Sequence, residues 1–155
     1  MNNNYYPSWW NTTITIYNKY QDPLTRVVTW HRFVLKDCCF WQASGDKVVI
    51  STNNNDTVLN TANIICRIPI QETYLPKHLW IAQSNDIMNN YFTLAVEDII
   101  VKGEVDDTIN EYASGSRASD LLKKYKALQG CLQIESFSDN TGGGRGNEHY
   151  FVRGI

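Results

Sequence analysis

Three histidines and four cysteines are the residues of this chain best equipped to hold a metal or begin a nucleophilic reaction. His31 stands beside Trp30, His78 follows Lys77, and His149 follows Glu148. No two of them are four apart, and none forms an HxH pair. Cys38, Cys39, Cys66 and Cys131 form no CxxC. A tetrahedral zinc site would therefore need ligands that converge from distant parts of the chain. Neighbouring Cys38 and Cys39 point to opposite faces of a strand, so they are poor disulfide partners, and free thiols are expected. No local signature surrounds any cysteine, so no Cys–His nucleophile stands out. Glu104, Asp106, Asp107 and Glu111 make an acidic stretch without the spacing or glycine of a calcium loop. Gly142–Gly146 is glycine-rich, but a phosphate loop joins a strand to a helix and ends in Lys-Ser/Thr. Here the run joins two strand-like stretches, and Arg145 is its one base. The expectation is a non-enzyme with no catalytic residues, no cofactor and no metal.

Aromatic residues are the more prominent feature. Trp9, Trp10, Trp30, Trp41 and Trp80 accompany nine tyrosines. Such side chains fill cores, dominate protein interfaces, or stack on single-stranded nucleic acid. Trp30 and Trp41 lie in strand-like sequence and read as core. Tyr5, Tyr6, Trp9, Trp10 and Trp80 lie outside it and read as contacts with another chain, joined by Arg145. An oligonucleotide-binding barrel would want bases interleaved with its aromatics. Arg26 and Arg32 flank Trp30, and the pattern does not repeat.

The 155 residues suggest one domain with an ordinary core. Only 19% are charged and the net charge is −2, so there is no basic footprint for duplex nucleic acid. Low surface charge opposes self-association weakly. No stretch approaches a membrane span. The beginning, Met1 to Tyr6, lacks the charged and apolar regions of a signal peptide, which predicts a cytosolic product.

Residues 1–11 read as an arm whose aromatics either fold back on the domain or dock on a neighbour. Residues 12–155 read as a single β-rich domain. Period-two alternation predicts strands over 12–19, 26–35, 38–42, 47–52, 63–70, 91–94, 98–105, 131–138 and 149–153. Asp22-Pro23 marks a turn between the first two. Residues 53–56 read as an Asn-rich loop and 74–90 as a long irregular loop. One helix is expected, at about 119–129. Leu121, Leu122, Tyr125 and Leu128 form its stripe, Ser116 or Ser119 its cap, and Gly130 its stop. The expected fold is mainly β: a small barrel or sandwich with one packed helix and long loops.

The order of several stretches resembles a family of short proteins encoded among the head-morphogenesis genes of tailed phages and prophages of Gram-positive bacteria. They are Ile14-Thr15-Ile16-Tyr17-Asn18-Lys19-Tyr20 with Asp22-Pro23, Trp30-His31-Arg32, Ile65-Cys66-Arg67-Ile68-Pro69 and Asp98 to Gly103. They continue with Ser119-Asp120-Leu121-Leu122, Leu128-Gln129-Gly130 and Asn147 to Gly154. The family in turn resembles head-completion proteins, also called stopper or minor capsid proteins. The resemblance implies a connector subunit of the virion neck, assembled in the bacterial host cytoplasm. Copies would form a ring between portal or adaptor proteins and a tail terminator or other tail proteins. Genomic DNA would pass without sequence-specific binding, and no membrane would be involved. Residues 71–90 or the tip Gly142, Gly143, Gly144 and Arg145 would narrow the channel. The alternatives are a tail terminator or other tail-associated protein and, from another class, a single-stranded nucleic-acid-binding barrel.

Overall fold

The computed structural model describes residues 6–42, 46–52, 55–61, 64–142 and 148–155, with the side chains of 42, 46–52 and 55–61 left aside. Eight strands are β1 Thr12–Gln21, β2 Val28–Gln42, β3 Asp46–Thr52, β4 Asn55–Thr61, β5 Ile64–Pro69, β6 Ile99–Lys102, β7 Cys131–Asn140 and β8 His149–Gly154. The helices among the described residues are α1 Lys77–Trp80, α2 Asn85–Asn90 and α3 Ala118–Leu128. The protein is mainly β, as its alternation predicts.

Six strands close into an antiparallel barrel in the order β1-β2-β5-β8-β7-β6. The seam pairs β6 with β1, from Ile14 opposite Lys102 to Tyr17 opposite Ile99. Closure matters because an open strand edge invites pairing with other chains. Alternate residues turn inward: Ile14, Ile16, Leu35, Cys38, Cys66, Ile68, Ile100, Leu132, Ile134 and Val152 fill the interior, with Phe92 and Tyr150. The barrel is thus a packed core.

β6 is apolar on both faces, and the reason is α3. Ile100 faces the barrel interior, while Ile99 and Val101 join Tyr17, Val105, Leu121, Tyr125 and Cys131 in a second cluster outside. The helix lays its stripe on that outer face. Leu121 and Tyr125 are buried there, but Leu128 is 68% exposed, so the stripe is shorter than its sequence suggests. Neither predicted serine caps the helix. Arg117 takes the cap position, and the Asp120 carboxylate accepts its backbone N–H at 3.1 Å. Gly130 ends the helix with φ 98°, a conformation that only glycine adopts at low cost, and donates its N–H to the Tyr125 carbonyl.

Four boundaries differ from expectation. The two stretches 26–35 and 38–42 are one continuous strand, β2, which leaves β1 and pairs with β5 from Cys39 onward. β4 runs through part of the Asn-rich stretch, where pairing with β3 overrides the poor strand preference of Asn and Asp. Residues 74–90 hold α1 and α2 and are anchored through Trp80 and Met88, both buried. Residues 91–94 form no strand; Tyr74 and Phe92 make a single bridge.

Candidate functional site

Polar convergence is the first thing a reaction centre would need. Among the described residues no three His, Cys, Asp or Glu side chains gather. All four cysteines are buried free thiols. Burial raises the thiols of Cys38 and Cys66, and it pushes Cys131 up to about 11. A raised thiol is a poor nucleophile. His31 Nδ1 meets Asn89 Oδ1 at 2.8 Å, and its ring stands edge-on to Trp80 at 5.3 Å.

Among the described residues two polar clusters hold segments together. Asp98 is fully buried. Its carboxylate accepts from Lys19 N at 2.9 Å, Asn18 Nδ2 at 2.9 Å and Ala95 N at 3.0 Å. Lys77 Nζ lies 4.0 Å away and 4.8 Å over the Trp80 ring, and donates to the Lys19 carbonyl. Burial pushes Asp98 up to about 6 in spite of these partners, and it lowers Lys77. The network ties β1 to the segment before β6 and to α1. The second cluster ties α3 to the barrel. Asp107 takes hydrogen bonds from Tyr125 Oη and Lys124 Nζ, which hold its carboxyl below the usual range. Tyr17 Oη donates to the Asp107 carbonyl at 2.7 Å.

Surface aromatics are left as candidates, and the arm supplies some of them. Tyr6 Oη donates to the Glu148 carbonyl at 2.6 Å and accepts from Ile70 N at 3.0 Å. Its ring stacks on Trp10 at 5.2 Å, and Trp10 stands edge-on to His149 at 5.4 Å. The arm folds back on its own domain from Tyr6 onward. Trp10 is 6% exposed and Trp80 wholly buried, so both serve the interior of this chain. Their assignment to a partner interface is corrected accordingly. Trp80 is the buried residue of α1 and Met88 that of α2, and no local pattern in the sequence marks either.

Trp9 and Trp41 differ. They are 60% and 54% exposed. With Thr12, Cys39, Phe40 and Arg67 they line an open groove of about 470 Å³. The expectation that Trp41 is core is thus also corrected: it lies at the end of β2 and faces outward. Arg67 stands 5.3 Å over the Phe151 ring, and among the described residues that line the groove it is the one charged side chain beside three aromatic ones. Of the remaining expected residues, Gly142 is exposed at the end of β7. Tyr5, Gly143, Gly144 and Arg145 lie outside the described residues. Among the described residues no helix is long and apolar enough to cross a membrane.

A family model described as a family of unknown function, DUF6751, matches residues 9–155. No curated protein matches the chain. No solved structure matches it either.

Proposed function

The chain belongs to DUF6751, a family of unknown function, and from the resemblance in its order of motifs we propose a structural role in the neck of a phage virion. It is a stopper-type, head-completion connector subunit that forms a ring between portal and tail and helps retain DNA. Its work is mechanical, carried by contacts between polypeptides.

The observation that carries this reading is the β3–β4 hairpin. Its strands pair with each other, Val48 opposite Leu59 and Val49 opposite Val58, in a sheet separate from a barrel that is already closed. A two-stranded hairpin alone is marginal in water and gains stability from further strands or a packed surface. In a ring, the neighbouring copy or the channel contents supply that surface. Residues 71–90 are the weaker choice for a channel element, because Trp80 and Met88 tie them into their own domain. The test is native mass measurement of the purified chain with and without portal rings of the encoding phage. The expected result is a stoichiometric ring bound to portal. Failure to join portal, together with infectious particles that lack the polypeptide, overturns the reading.

One observation favours a second reading, a barrel that binds single strands. The outward rows of β2, β5 and β8 place Trp41, Arg67, Phe151 and Arg153 on one face. Bases stack on aromatic faces while arginines meet phosphates. A salt-dependent quench of tryptophan fluorescence by oligo-dT would select this reading.

A further inference from the structure

The turn between β1 and β2 is tightly braced from within. Asp22 Oδ1 accepts from Leu24 N at 2.8 Å and Thr25 N at 3.0 Å. Asp22 N and Arg26 N close it through backbone bonds to the Val27 and Asp22 carbonyls. Arg26 sits in the left-handed region at φ 61°, which costs a residue with a side chain. What this braced turn presents is exposed Pro23 and then Leu24, 92% exposed, more than any other large hydrophobic residue described. An apolar knob held rigid before contact loses little entropy on docking.

The groove between Trp9 and Trp41 has the complementary character. Aromatic-lined grooves take prolyl and leucyl side chains, and about 470 Å³ accommodates both. Arg67 is the one charged group among the described residues lining the groove, and the carboxylate of Asp22 directly precedes the knob. Arg26, the turn's own cation, lies on the returning side. Knob and groove lie at opposite ends of the β1–β2 hairpin. Nine steps from Thr12 to Gln21 at about 3.3 Å each put them roughly 30 Å apart. One molecule therefore cannot join them.

We propose that the Pro23–Leu24 turn of one copy docks in the Trp9–Trp41 groove of the next copy. The contact is head-to-tail, so it builds a closed ring or an open filament and never a two-fold dimer. The proposal deepens the connector reading and rests on it for the choice of a second copy as occupant.

All four thiols are buried, but Cys39 also lines the groove, so the test uses the full chain with Cys39→Ser. Leu24→Cys protein is mixed with Trp41→Cys protein under mild oxidant, and the linked peptides are counted by mass. A control replaces Trp41→Cys with Ala127→Cys, an exposed position on α3. The expected result is at least tenfold more 24–41 than 24–127 linkage. Equal linkage overturns the proposal. Pro23→Cys with Thr12→Cys is a second pair, read the same way, in case a tryptophan variant fails to fold. Native mass then separates the two claims. Preferential linkage with unbounded oligomers keeps the contact and rejects the ring; a discrete ring without preferential linkage keeps the connector reading and rejects the contact.

Discussion

Replacing Trp80 by alanine distinguishes a core residue from an interface residue. Trp80 is wholly buried in the single chain. Its indole N–H donates to the Tyr91 carbonyl at 3.2 Å, with the Met88 carbonyl at 3.4 Å. The ring also meets His31 edge-on and carries the Lys77 ammonium on its face. Truncating a buried tryptophan to alanine costs about 3–5 kcal/mol. Trp80→Phe keeps most of the apolar area and loses mainly the hydrogen bond, at about 1–2 kcal/mol. Urea unfolding followed by circular dichroism reads both as shifts of midpoint at constant slope. The expected order is wild type, then Phe, then Ala, at every protein concentration. A Trp80→Ala loss below about 1 kcal/mol, appearing only at concentrations where copies associate, would refute the core assignment.

Asp98 makes stability depend on pH in an unusual direction. Its folded pKa of about 6 lies above the ordinary 3.8, so the folded state holds the proton more tightly than the unfolded chain. The group's contribution to stability is therefore full below about 3.8 and is lost as pH rises through about 6. Carbon NMR of the Asp98 carboxyl should show a midpoint near 6; a midpoint below 4 would mean that its three hydrogen bonds outweigh burial. Tyr6→Phe removes both bonds that pin the arm, costs about 1–2 kcal/mol, and should expose Trp10. A red shift in tryptophan emission checks this, and unchanged emission contradicts it. Gly154→Ala would drive a methyl group onto the Gln133 carbonyl at the β7–β8 seam. Overpacking of this kind costs about 1–3 kcal/mol, and thermal unfolding should show the loss; an unshifted transition would mean that the seam gives way freely.

Much of the fold is legible in the residues because period-two alternation is a local property. Ile14 and Ile16, Cys66 and Ile68, and Tyr150 and Val152 announce inward faces without knowledge of any partner. Gly130 marks the end of α3 because positive φ is a property of one residue. The site was less legible. Flanking sequence points Trp80 outward and Trp41 inward, and the fold does the reverse. Burial depends on which surface lies opposite, and the Trp80 neighbours, His31 and Lys77, include one from 49 positions away. The closing of the barrel is likewise invisible locally, since β6 meets β1 only after the four strands β2, β5, β8 and β7 have carried the sheet around.

Sequence alone therefore determined that this is a β-rich domain with a helix where α3 lies, and that its chemistry-bearing residues show no familiar spacing. Tertiary structure decided which aromatics are spent on the core and which remain outside, leaving Trp9, Trp41 and the Leu24 turn on the surface. The reason is physical: alternation is written residue by residue, whereas solvent exposure is a sum over neighbours that only the folded chain brings together.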